Sequence, residues 1–137
     1  MSKAKGFTLV ELMVVILIVS ILAAVAIPLM RGRIDAAKWS EGKAMMGTIA
    51  TGIRAYQAEK GPTGTAPTTL VQLGFVAGDF DGTYFSEACF SYSVTDMGGA
   101  TGSLKFTVTC NSGSSTRPSP PTALTRTLNQ AGIFNPE

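Results

Sequence analysis

From Phe7 to Met30 the chain is apolar at nearly every position and carries one ionisable side chain, Glu11. A segment apolar on all sides belongs in lipid or in a packed bundle, and about 20 such residues suffice to span a bilayer. From Arg31 onward the pattern changes. Ile34, Ala37, Met45, Ile49, Ile53 and Tyr56 recur at helical spacing, while Arg31, Lys38, Glu41, Lys43, Arg54 and Glu59 take other faces. The spacing predicts one long helix from Phe7 to about Lys60, apolar in its first half and amphipathic in its second. Pro28 and Gly32 are its weak points. If continuous, such a helix reaches roughly 80 Å at 1.5 Å per residue. Gly61-Pro62-Thr63-Gly64 ends it.

Beyond the helix the period shortens to two. Phe90, Tyr92 and Val94 alternate with Ser91, Ser93 and Thr95, and Leu104, Phe106 and Val108 alternate with Lys105, Thr107 and Thr109. These are two strands joined by the Gly-rich turn Asp96–Gly102. A third, weaker strand is expected around 123–128. One helical turn is expected within Ala66–Gly74, capped by Thr68 or Thr69. Ser112–Pro121 is rich in Ser and Pro and reads as an exposed loop. The fold class is α+β: a long N-terminal helix packed against a small antiparallel sheet. The chain divides into residues 1–6, a basic leader; 7–30, a membrane or core segment; 31–60, the amphipathic half; and 61–137, a β-region containing loop 112–121.

Composition narrows the chemistry. Of 137 residues none is His and two are Cys. A His general base and a His-ligated zinc site are therefore excluded, and two Cys cannot complete a four-ligand site. Eleven Lys and Arg against nine Asp and Glu give +2, but Lys3 and Lys5 lie in the leader, which leaves nine against nine. No basic run points to nucleic acid. In an exported chain two Cys most often form one disulfide, here Cys89 with Cys110. The hairpin register complicates that bridge. Opposing the apolar residues of the two strands places Cys89 and Cys110 on opposite faces. A bulge near Thr109, or Cys89 lying just outside its strand, resolves the conflict.

Glu11 is the residue that calls for explanation. A carboxylate at the edge of a charge-free run is costly unless something pairs with it. Around it stand the leader Met1-Ser2-Lys3-Ala4-Lys5-Gly6, then Phe7-Thr8-Leu9-Val10-Glu11, the apolar stretch, and Ala26-Ile27-Pro28. This order resembles the start of the type IV pilin family, which includes the pseudopilins of type II secretion. The resemblance covers roughly the first quarter of the chain.

It implies a structural subunit with no active site and no cofactor. A prepilin peptidase would cut between Gly6 and Phe7, and the new amino terminus, Phe7, would be N-methylated. The Glu11 carboxylate would pair with the Phe7 amine of a neighbouring subunit during assembly. Other implied partners are copies of the chain, an inner-membrane platform protein and a separate assembly ATPase. The precursor would sit in the bacterial inner membrane and the product in a cell-surface filament, or in the periplasm for a pseudopilin. Pro28 is a kink, and the resemblance makes Ser20–Pro28 a candidate melted stretch; Ala23, Ala24 and Ala26 oppose melting.

Other readings of the same residues stand beside this one. Lys3 and Lys5, Leu12–Leu22 and Ala24-Val25-Ala26 also fit an ordinary signal peptide, which leaves Glu11 unexplained. A Glu that only snorkels to the headgroups is a second alternative. A non-polymerising membrane-anchored binding domain is a third. Asp79 and Asp81, with Glu87 nearby, are weak metal candidates whose spacing misses the twelve-residue calcium loop, so a simple Asp-rich turn is expected and no metal is assigned. Trp39 and the aromatic residues between Phe75 and Phe106 are expected in the core. Ser112, Ser114, Ser115 and Ser119 could carry sugars, with a plain solvated loop as the expected reading.

Overall fold

The computed structural model describes residues 6–99, 102–122 and 124–135. The leader residues Met1–Lys5, two residues of the Asp96–Gly102 turn and the start of the expected third strand at 123 lie outside the described residues. The elements are helix α1 (Leu9–Lys60) and strands β1 (Phe90–Met97), β2 (Leu104–Asn111), β3 (Thr125–Asn129) and β4 (Phe134–Asn135), with short 3-10 turns at Leu70–Leu73, Glu87–Cys89 and Ser112–Ser114. The strands form one antiparallel sheet in the order β1-β2-β3-β4. By its internal contacts the chain divides into Met1–Asp35 and Ala36–Glu137.

In the first unit, helical residues 9–35 bury almost nothing: Leu9–Met30 presents its apolar side chains outward all round. This is the molecule's one helix long and apolar enough to cross a membrane, among the described residues. The α-helical assignment runs unbroken through Pro28.

In the second unit one face of α1 covers the sheet. Trp39, Gly42, Met46, Ile49, Ala50 and Ile53 are buried, at the three- and four-residue spacing of a single stripe. The expected face is partly corrected here. Ile49 and Ile53 lie in the core, Met45 packs at its margin, and Ile34 and Ala37 are exposed. The stripe centres instead on Trp39, Met46 and Ala50. From the sheet come Phe90, Phe106, Val108, Cys110 and Leu128, closed over by Phe80 and Phe85 from the connecting segment.

Gly42 permits the closest approach. A Cβ there would stand 2.9–3.2 Å from the Phe85 ring, inside contact distance. That ring packs on Trp39 at 5.0 Å and on Phe90 at 6.0 Å between centroids. Glu41 fastens the same segment by accepting from Tyr84 N–H at 2.9 Å and Phe85 N–H at 3.2 Å. The Arg126 guanidinium covers Trp39 from the sheet side at 4.9 Å.

The hairpin register pairs Phe90 with Cys110, Tyr92 with Val108 and Val94 with Phe106. An irregularity follows Val94, so Asp96 faces Lys105 and Thr95 is the extra residue. Thr69, not Thr68, caps the turn at Leu70–Leu73, in a reciprocal box with Gln72. The Ser/Pro segment is not simply an exposed loop. Ser112 and Pro121 are buried, the Ser112 hydroxyl accepts from Leu124 N–H at 2.9 Å, and the Ser115 hydroxyl donates to the Tyr84 carbonyl at 2.8 Å. Lys38 reaches the Ser119 carbonyl at 2.9 Å. Ser112 and Ser115 are thus occupied, and of the four hydroxyl candidates only Ser114 and Ser119 are exposed.

Candidate functional site

The candidate site is the start of α1. Phe7 and Thr8 precede the helix and are exposed, as is Gly6, around which a Cβ would meet nothing within 4 Å. The first amide groups of a helix have no partner within it. Here Thr8 and Glu11 supply partners to each other. Thr8 N–H donates to Glu11 Oε2 at 3.0 Å, the Thr8 hydroxyl donates to the same oxygen at 2.7 Å, and Glu11 N–H donates to Thr8 Oγ at 3.3 Å. This is a capping box, spelled Thr-x-x-Glu. A carboxylate in the first turn also suits the positive end of the helix. Glu11 is followed by a helical surface with no further charge until Arg31.

The arrangement places three things within the six residues Gly6–Glu11: an unhindered Gly-Phe junction, an aromatic residue, and a carboxylate held at the helix start. In the sequence, Thr8 as a partner of Glu11 is legible only as the spacing Thr8-x-x-Glu11, the signature of a capping box.

A family model described as the prokaryotic N-terminal methylation motif matches residues 1–27. Among curated proteins, fimbrial protein EcpB of Eikenella corrodens is 41% identical over 61 residues, covering 44% of this chain and 38% of that one. Type IV major fimbrial protein FimA of Dichelobacter nodosus is 36% identical over 106 residues, covering 74% of this chain and 64% of that one. The chain belongs to the type IV pilin family. It spans less than two thirds of the length of these relatives. No solved structure matches it.

The remaining candidate residues of this pilin lie apart from its helix start in sequence. Asp79 accepts from Val76 N–H at 2.9 Å. Asp81 accepts from Glu87 N–H at 3.0 Å and pairs with Arg117 at 2.9 Å. Glu87 accepts from Gly78 N–H at 2.8 Å. The three carboxylates hold the turn and the 112–121 segment together. No cluster of metal-binding side chains stands out among the described residues.

Cys89 and Cys110 are both buried, as free thiols, in one core. Cys89 ends a 3-10 turn and Phe90 begins β1, so Cys89 lies just outside its strand while Cys110 is opposite Phe90. Of the two ways to reconcile register with a bridge, the structure has this one. Burial, and then the neighbouring Cys89 thiol, push the Cys110 thiol up to about 12.

Proposed function

We propose that this chain is the structural subunit of a type IV pilus-like filament. Prepilin peptidase cuts it between Gly6 and Phe7, and Phe7 is N-methylated. The segment Leu9–Met30 holds the subunit in the inner membrane until assembly. The Phe7 amine of a neighbouring copy then pairs with Glu11, because a carboxylate in lipid needs a cation and the new amino terminus is the nearest one available. Energy comes from a separate ATPase acting through an inner-membrane platform protein, so the subunit needs no active site and no cofactor.

The observation that carries this reading is Glu11, a single carboxylate at the helix start, one turn beyond a Gly-Phe junction and ahead of a charge-free run. A signal peptide or plain anchor gives it no role. The fimbrial names of the relatives favour a surface filament over a secretion pseudopilus. Pro28 offers a place where the helix can open during assembly. We further propose that Cys89 and Cys110 are joined in the exported subunit, since both lie in the same core and the exported compartment is oxidising. Electron microscopy of sheared cell-surface material, with mass spectrometry of its subunit, tests the reading. Filaments built of this chain starting at methylated Phe7 support it; a membrane-bound monomer with an uncut leader refutes it.

A further inference from the structure

The charge-free run of α1 is bounded at its far end by two arginines. Leu12–Met30 carries no ionisable side chain, and Arg31-Gly32-Arg33 follows at once. At 1.5 Å per residue the run measures about 28 Å, close to the roughly 30 Å of a bilayer's hydrocarbon core. Both arginines are exposed, and a Cβ on Gly32 between them would meet nothing within 4 Å. The next carboxylate along the helix, Asp35, has an interaction of its own. Neither Arg31 nor Arg33 forms an ion pair with another described residue. They are unpaired cations at the edge of an apolar helix.

Two positions apart on a helix, their side chains leave it about 200° apart and about 3 Å apart along its axis. One small anion cannot bridge opposite sides of a helix, and a flat protein surface meets one side only. A layer of lipid headgroups surrounds the helix, and at about 5–7 Å thick it takes in both positions. The residue type agrees. A guanidinium presents a planar fork of donors that matches a phosphate, and both cations at this end are Arg, whereas those of the leader are Lys.

We propose that Arg31 and Arg33 form a collar for acidic phospholipid, each holding one headgroup phosphate in the leaflet away from the leader. The inference rests on the membrane-resident stage of the pilin reading and adds a lipid class to it. The collar fixes how far the apolar run enters the bilayer. Movement one way draws a guanidinium into hydrocarbon, and movement the other way leaves apolar side chains in water. The collar also opposes the leader. Lys3 and Lys5 stand before the run and Arg31 and Arg33 directly after it, so the two flanks balance in cations. Removal of the leader would leave the far flank alone to hold the chain to anionic lipid.

The test uses the full-length chain, made by cell-free synthesis in a non-ionic detergent. Lys3→Gln and Lys5→Gln are present in every version, so that the leader adds no lipid contact. Native mass spectrometry counts bound lipid as phosphatidylglycerol or phosphatidylcholine is titrated in. The chain with both arginines should bind two phosphatidylglycerols, each about fivefold more tightly than phosphatidylcholine. Arg31→Gln or Arg33→Gln should keep one preferred lipid, and the pair none. Since the two act on separate lipids, the product of the two binding constants should fall about fivefold in each single variant and about twenty-five-fold in the pair. Equal binding of the two lipids, or a preference that survives in the pair, overturns the collar. So does a single variant as damaging as the pair, or displacement by inorganic phosphate beyond that by chloride at equal ionic strength; either means one shared anion site. Should the variants not stay helical by circular dichroism, the parent chain decides. At about 1 M salt, where the screening length is about 3 Å, its preference should fall below about twofold, and a salt-insensitive preference overturns the proposal. A loss of filaments from the Gln pair, with no lipid preference in the parent, would point to an acidic protein partner and also overturns it. The expected lipid preference in a chain that forms no filaments in cells supports the collar and sinks the filament reading; filaments without the preference do the reverse.

Discussion

Thr8 and Glu11 hold one another through three hydrogen bonds at the start of α1, the shortest being Thr8 hydroxyl to Glu11 Oε2 at 2.7 Å. The carboxylate is therefore satisfied within its own chain before any partner amine arrives. The proposed pairing with a neighbour's Phe7 amine would have to add to these bonds or exchange with them. Neutral Thr8 donors are a weaker match for a carboxylate than a cation in a dry site, so under the proposed pairing the local arrangement would be a holding state.

Removing the Glu11 charge should block assembly while leaving the core built from residues 36–137 intact. Glu11→Leu and Glu11→Ala are expected to give cleaved, membrane-resident subunits and few filaments. The bilayer prefers Leu, so loss of anchoring cannot explain that outcome. Glu11→Asp keeps the charge with a shorter reach and should fall between. Wild-type filament quantities from Glu11→Leu, without a wild-type copy present, would show the pairing to be wrong.

The Gly6–Phe7 junction should be the processing point. N-terminal mass analysis of the mature chain is expected to find methylated Phe7. A mature chain starting at Ile27 would instead favour the signal-peptide alternative. A bulky residue at Gly6 should leave uncut precursor in the membrane, since nothing in the chain's own structure would be displaced by it.

Gly42 and Gly47 lie five residues apart on α1 and should respond oppositely to alanine. At Gly42 the new methyl would press on the Phe85 ring, 2.9 Å away at its nearest atom, and overpacking of this kind costs about 1–3 kcal/mol. At Gly47 nothing lies within 4 Å, and replacing a mid-helix glycine gains about 0.5–1 kcal/mol. Thermal unfolding of the solubilised chain, followed through Trp39 fluorescence, measures both. Equal melting of the two variants would contradict the packing at Phe85.

The cysteine pair can be tested by mapping and by pH. A bridge between Cys89 and Cys110 encloses about twenty residues, worth roughly 3 kcal/mol on a chain-entropy estimate. Non-reducing peptide mapping of fresh material should recover it; two free thiols there would refute the bridge. In the reduced chain, the folded Cys110 thiol titrates near 12, against about 8.5 for an ordinary thiol. Between those values the unfolded chain has lost a proton that the folded chain keeps, so stability falls as pH rises through that window. Oxidised material, with no thiol there to ionise, should lack this dependence.

The long helix, the two main strands and the helix-start residues were decided by sequence, because each is a local pattern. An all-round apolar run, an amphipathic run and an alternating run differ in period. Gly6, Phe7 and Glu11 lie within six residues of one another, so the chain itself keeps them together. Tertiary structure decided what depends on contacts between distant segments. Periodicity admitted Ile34 and Ala37 to the buried face, but the sheet covers only the part of α1 that reaches it, so Trp39, Met46 and Ala50 fill the core. Ser112–Pro121 has the composition of a solvated loop, yet it is tied down by Tyr84, Asp81 and Lys38, none of them near it in sequence. The two-residue strand β4 is too short to leave a period.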